Sequence, residues 1–183
     1  MSCELSCKGA SSLFLLLATL LFCTACHKDK VVTIGEPPPA ISGEDIHGKV
    51  ASLAQLKGKV VVIYFWTNSC CGGSVKELEP IYRNNKDRGL AVLAINEIDS
   101  RKDVQLFAKN NDLSFLMLTD PESKLLKQYQ VYVFPTIFIL DKHGIVRKKI
   151  QGDIGSARLQ KLVQQQFDMQ KKAEESYQKI HAK

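Results

Sequence analysis

The seven residues Val60–Trp66, VVVIYFW, constrain this chain more than any other stretch. The run is continuously apolar and β-branched at its start, so as a strand it has no face to turn to water and must be covered on both sides. The sequence after it supplies the cover. Val75, Leu78, Ile81 and Tyr82 recur at helical spacing, with Lys76, Glu77, Glu79 and Arg83 mostly elsewhere, and Pro80 is expected to kink that helix. Then come a strand at 90–96, a helix at 101–110, a short strand at 115–118, a helix at 121–128 and a strand at 136–140. A turn at 141–144, a strand at 145–150 and a helix from near Ser156 complete the order. Upstream, residues 43–56 read as a hairpin around His47-Gly48 followed by a brief helical turn. Strands alternating with helices imply an α/β sheet with a parallel part, and the last close-set pair adds an antiparallel hairpin.

A length of 183 residues, 45% hydrophobic and 24% charged, suits one ordinary domain with extensions. The net charge of +6 is spread along the chain, with no basic stripe interleaved with aromatics, which argues against nucleic acid as a partner. A basic surface also attracts anionic membranes or acidic proteins. The apolar run at 13–22 is too short to span a bilayer comfortably and reads as a signal-peptide core. Its end, Cys23-Thr24-Ala25-Cys26, resembles a bacterial lipobox, which implies lipidation of Cys26 as the first mature residue. It departs from that pattern in Cys23, where leucine is usual, and an uncleaved anchor helix is the competing reading. Cleavage there leaves Cys70 and Cys71 as the only thiols, and two adjacent cysteines make no disulfide framework, so the pair is read as chemical. The expected organisation is a signal at 1–25, a polar linker at 26–40 stiffened by Pro37-Pro38-Pro39, a domain at 41–166 and a charged, partly frayed helical tail at 167–183.

The order strand, cysteine turn, kinked helix, then Val133-Phe134-Pro135-Thr136 before a strand resembles the thioredoxin fold. Taken with LKGKVVVIYFW, AINE, YQVYVFPTIFILDKHGIV and the later Gly152, residues 43–163 resemble the exported TlpA/ResA-like thiol-disulfide oxidoreductases. The resemblance implies an α/β thioredoxin-like domain: a mixed central sheet flanked by helices, with an N-terminal hairpin extension. It implies that Pro135 is cis and faces the cysteine turn, where Phe134, Pro135 and Trp66 would border an extended partner chain. The implied partners are exported proteins bearing thiols or disulfides and a redox protein that supplies or removes electrons. Attachment through lipid would place the domain in the cell envelope, with cytochrome c maturation one role the family suggests. No cofactor and no metal are expected.

The cysteine turn departs from the family's Cys-x-x-Cys. Counting from Phe65-Trp66 without a gap makes Cys70 the nucleophile and puts Gly73 in the second cysteine's place. Counting back from the helix makes Cys71 the nucleophile, Ser74 the second position and Glu77 the match to the family's active-site glutamate. The second register is preferred here, because it also superposes Leu78 and Ile81 on core positions. In both, a cysteine lies at or just before a helix N-terminus, where free amide groups favour thiolate. The pair can close a small, strained and easily reduced vicinal ring, or Cys71 can act as a single thiol that Cys70 or an external thiol resolves. Ser74 can only donate a hydrogen bond to sulfur, and Glu77 is either a proton-moving group or a solvated helix residue. Two other function classes stay open: a redox-inactive peptide-binding module, and a thiol peroxidase, since Thr67-Asn68-Ser69-Cys70 resembles the Thr-x-x-Cys of peroxiredoxins although Ile63 stands where their proline belongs. Glu97 and Asp99 either set substrate preference or are exposed loop carboxylates. Asp141-Lys142-His143-Gly144 reads as a hairpin turn rather than a source of a histidine ligand.

Overall fold

The structure, a computed structural model, describes residues 31–182. The expected signal segment and Cys26 lie outside the described residues. A hairpin of β1 (Ser42–Glu44) and β2 (Val50–Ser52) precedes a 3₁₀ turn at Leu53–Leu56 and the long strand β3 (Val60–Trp66). Next come α1 (Asn68–Lys76), α2 (Leu78–Asn85), β4 (Leu90–Asn96), α3 (Arg101–Asn110) and β5 (Leu116–Thr119). The chain then forms α4 (Lys124–Gln128), β6 (Thr136–Leu140), β7 (Val146–Gln151) and α5 (Ser156–His181).

Five strands form one sheet in the order β5-β4-β3-β6-β7. β3 runs parallel to β4 and antiparallel to β6, with Trp66 opposite Asn96 and Phe65 opposite Thr136. Every residue of β3, β4 and β6 is buried, as the unbroken apolar run requires. Alternation divides β3 between two cores. Val60, Val62, Tyr64 and Trp66 pack with Cys71, Val75, Leu78, Ile81, Val104, Leu159 and Val163 from the helices. Val61, Ile63 and Phe65 pack on the other face with Val32, Ile41, Ala51, Tyr129 and Phe138. Each large apolar side chain so buried contributes about 1.5–3 kcal/mol.

Several boundaries differ from expectation for local reasons. The first helix starts at Asn68, before the cysteines and glycines rather than after them, because Cys71 and Val75 gain core contacts one turn apart. Its kink becomes a break at Glu77. Pro80 has no N–H for the Lys76 carbonyl and its ring crowds that group, so α1 ends there and Glu77 N–H turns to Ser74 O at 3.1 Å. α4 begins three residues later than expected, because the Asp120 carboxylate captures the N–H groups of Lys124 (3.0 Å) and Leu126 (2.9 Å) and leaves 121–123 as a turn.

The linker and the tail also depart from expectation. Val32 is buried, Gly35 N–H bonds to Val146 O at 2.8 Å, Val146 N–H bonds to Glu36 O at 3.0 Å, and Tyr129 hydroxyl donates to Pro39 O at 2.6 Å. Residues 31–40 are therefore fastened to the domain rather than standing off it. α5 is one helix through the expected boundary at 166/167, and Phe167 sits in the core beneath the Arg88 guanidinium, 4.6 Å from its ring centre.

Candidate active site

The C-terminal ends of β3, β4 and β5 meet the start of β6 at one edge of the sheet, and the cysteines stand over it. Thr67, extended at φ −133° and ψ 153°, caps α1, and its carbonyl accepts from Cys71 N–H at 3.1 Å. Its hydroxyl lies 3.3 Å from that of Ser69. Another of the helix's free amides, Asn68 N–H, is taken by Asp99 Oδ2 at 2.8 Å, and Asn96 Nδ2 donates to the same oxygen at 2.7 Å. Asn96 Oδ1 in turn accepts from Ile98 N–H and Asp99 N–H. The loop after β4 is thus hooked under the first turn of the cysteine helix, with a carboxylate against the positive end of its dipole.

Cys70 and Cys71 are joined in a disulfide. Cys70 is exposed, whereas Cys71 is 2% exposed and belongs to the helix-side core. Trp66 is fully buried against Phe107, ring centres 5.1 Å apart, so it forms the floor beneath the cysteines and offers no surface to a partner, contrary to expectation. Gly72 allows a close approach, since a Cβ there would stand 2.8 Å from Asn68 Oδ1 and 3.3 Å from the Phe107 ring.

Ser74 and Glu77, expected beside sulfur, are engaged elsewhere. The Ser74 hydroxyl donates to Asp153 Oδ2 in a short contact, and Glu77 Oε2 accepts from Ser156 N–H at 3.3 Å at the start of α5. The bond from Ser74, helped by Gly155 N–H, holds the Asp153 carboxyl below the usual range. Beneath them, burial first and then the Asp153 charge push the Tyr64 hydroxyl up. Nothing in the sequence marked Asp153 or Tyr64 for this contact.

The Phe134–Pro135 bond is cis. Pro135 is buried, its carbonyl accepts from Gly152 N–H at 2.8 Å, and Thr136 Oγ1 donates to Val133 O at 2.6 Å. Because Thr136 pairs with Phe65, Pro135 lies beside the Trp66-Thr67 step that leads into the cysteines. Phe134 is half-buried and packs on both cores. Tyr132, Val133 and, from the loop after β4, Ile98 are exposed apolar side chains around this edge. His143 lies in the β6–β7 turn at the opposite end of the sheet, where Gly144 N–H bonds to Asp141 O at 2.9 Å.

Of the two acids singled out after β4, Asp99 is the helix hook and Glu97 is buried, 4% exposed. Glu97 N–H donates to Trp66 O at 3.2 Å. Burial, then the neighbouring Asp120 carboxylate, push its pKa up to about 8.

The AhpC/TSA family profile matches residues 34–149. The thiol-disulfide oxidoreductase ResA of Bacillus cereus is 30% identical over 83% of this chain and 94% of its own length. The thioredoxin-like protein YneN of Bacillus subtilis is 32% identical over 69% of this chain and 76% of its own. Among solved structures, a thiol:disulfide interchange protein of the thioredoxin family from Chlorobium tepidum superposes with a TM-score of 0.68, covering 74% of this chain and 98% of its own at 22% identity.

Proposed function

Because the chain belongs to the AhpC/TSA family and has ResA-type relatives along most of its length, we infer that it exchanges thiols and disulfides with exported proteins through the adjacent pair Cys70 and Cys71. The observation that carries this reading is the pair itself, closed as a disulfide at a helix start beside cis-Pro135, with one sulfur exposed and the other buried. A partner thiolate attacks Cys70 Sγ, the S–S bond breaks, and its electron pair leaves on Cys71 Sγ. The mixed disulfide at Cys70 is then attacked at the partner's sulfur by the partner's second thiol. Cys70 leaves as thiolate, and the products are a partner disulfide and a reduced pair. In the opposite direction Cys70 attacks a partner disulfide and Cys71 resolves it. Exposure favours this assignment over the register that made Cys71 the attacking thiol, and it agrees with the gap-free count from Phe65-Trp66.

The edge before Pro135 fits an extended partner chain, with Val133 and Phe134 offering backbone and Tyr132 and Ile98 an apolar rim. Ser74 and Glu77 fasten α1 to the start of α5 in this reading rather than serving sulfur. The signal-like run at 13–22 and the lipobox-like Cys26 support a domain outside the cytoplasm, tethered through lipid; a Cys26→Ser variant should lose membrane attachment. Cysteine pairs of c-type cytochromes are one client class suggested by the family.

Alkylation and trapping in cells expressing single-cysteine variants test the reading. Cys70→Ser should abolish mixed disulfides with exported proteins, and Cys71→Ser should raise them several-fold by leaving the intermediate unresolved. Partner capture that survives loss of both cysteines would establish a binding module instead, and rapid sulfenic acid formation with peroxide would establish a peroxidase.

A further inference from the structure

Among the described residues, the buried acids sort into four that are explained and one that is not. Asp45 accepts from the N–H groups of His47 and Lys49, Asp120 from those of Lys124 and Leu126, and Asp141 from His143, Ile145 and Arg147. Glu79 accepts from Arg83 and from Ser114. Each of those four holds a turn or joins two elements. Glu97 is as deeply buried, yet no group among the described residues donates a hydrogen bond to either of its oxygens, and its carboxyl meets the Asp120 carboxylate, to which it can bond only while it holds its own proton. An uncompensated buried carboxyl is costly, and a leucine would fill such a place at no such cost.

Its place in the fold gives the cost a purpose. The bond from Glu97 N–H to Trp66 O carries the β3–β4 ladder one residue past the Trp66–Asn96 pair, so Glu97 stands beside Thr67, the cap of the cysteine helix. Adjacent strands are about 4.8 Å apart and three helical residues rise about 4.5 Å, so the backbone of Glu97 stands within about 10 Å of that of the cysteines. The charged and titratable groups around it are Asp120, at the turn into α4, Asp99 on its own loop, and the two cysteines of α1. Asp99 is neutralised in part by Asn68 N–H and Asn96. Lys124, near Asp120, is exposed and paired with Glu122. No cation among the described residues holds Glu97 in its charged form, and Asp120 opposes it.

We propose that Glu97, backed by Asp120, is a positioning residue for charge at the cysteine site: it keeps its proton while the pair is closed or a thiolate stands on the pair, and its ionisation makes the thiols harder to ionise. The inference rests on the redox reading of Cys70 and Cys71. A closed disulfide is neutral, and two electrons with two protons from partner thiols convert it to two thiols. Whether the second proton stays on sulfur or leaves depends on the nearby carboxyl, because two like charges about 10 Å apart interact by about one pKa unit at an effective dielectric near 20. With Glu97 titrating near pH 8, its ionisation overlaps that of a thiol. The two then titrate as a coupled pair, and carboxyl and thiolate compete for one negative charge.

The test is the rate of iodoacetamide alkylation at Cys70, read by mass spectrometry of its peptide from pH 5 to 10, in the reduced full chain carrying Cys71→Ser so that one thiol of the pair titrates, for the otherwise unaltered protein, Glu97→Gln and Asp120→Asn. The unaltered protein should give a curve stretched over two ionisations. Glu97→Gln should give a single ionisation displaced to lower pH, with a rate several-fold and up to about tenfold higher near pH 8. Asp120→Asn should move the Glu97 part of the curve to lower pH while keeping two steps. Profiles of Glu97→Gln and the unaltered protein that coincide, with reactive thiols in both, overturn the inference and leave the redox reading intact. Thiols that stay inert at every pH in all three proteins overturn the redox reading itself. Far-ultraviolet circular dichroism confirms that each variant is folded, and Glu97→Asp, which restores the charge, should restore the stretched curve.

Discussion

At the scale of single residues, a carboxyl that keeps its proton to about pH 8 reverses the usual sign of acid linkage. An unfolded glutamate ionises near 4.3, so between about 4.3 and 8 the folded chain holds the extra proton. The contribution of Glu97 to stability is therefore greatest below the unfolded pKa. It falls as pH rises through that window, by at most about 1.4 kcal/mol per pH unit, and levels off above it. Urea unfolding from pH 4 to 9 should show the stability of the unaltered protein dropping relative to Glu97→Gln across this range; a constant difference would remove Glu97 as the source. The sequence pointed to Glu97 and Asp99 as acids near a strand end but not to their different fates. The apolar run of β4 stops at the polar Asn96, and nothing within that segment tells that a bond to Trp66 O extends the ladder by one residue. The place of Cys70 and Cys71 after β3, and of Pro135 beside the strand end that leads into them, was legible because each is an unusual residue at a fixed place in a recognisable order. Their division into an exposed and a buried sulfur depends on where the helix starts, which the two glycines obscured.

At the scale of elements, those glycines make a paired test. Gly73 lies within α1, and a methyl group added at its Cα would meet nothing within 4 Å, so Gly73→Ala should stabilise the protein by about 0.5–1 kcal/mol through helix propensity alone. Gly72→Ala meets Asn68 Oδ1 and the Phe107 ring and should give none of that gain. Thermal unfolding measures both, and equal gains would mean that α1 does not pass through the cysteines as described. The strands were read from sequence within one residue at most ends, since a buried sheet demands unbroken apolar runs. Helix ends were harder: α4 waits for Asp120 to cap it, and α1 and α2 part at Glu77 because of a proline three residues further on. Caps and prolines act at a distance from themselves.

For the whole molecule, α5 divides into a part that belongs to the core and a part that does not. Leu159, Val163 and Phe167 are buried, whereas from residue 171 to its end at His181 the helix is exposed. Phe167→Ala should cost about 3 kcal/mol, and removal of residues 171–183 should change the urea midpoint little, which chemical denaturation of the two variants would separate. The other end of the domain has a directional meaning. Gly35 and Glu36 are fastened to Val146, and Pro37, Pro38 and Pro39 line one cavity with Leu53, Val61 and Leu140, at the end of the sheet opposite the cysteines. A seven-residue strand such as β3 spans roughly 23 Å between those two ends. If the chain is held to a surface by its upstream segment, that hold acts on the pole remote from sulfur. The reactive edge then points outward like the working end of a rigid probe, reaching cysteines that stand clear of the membrane and passing over those that lie flat against it.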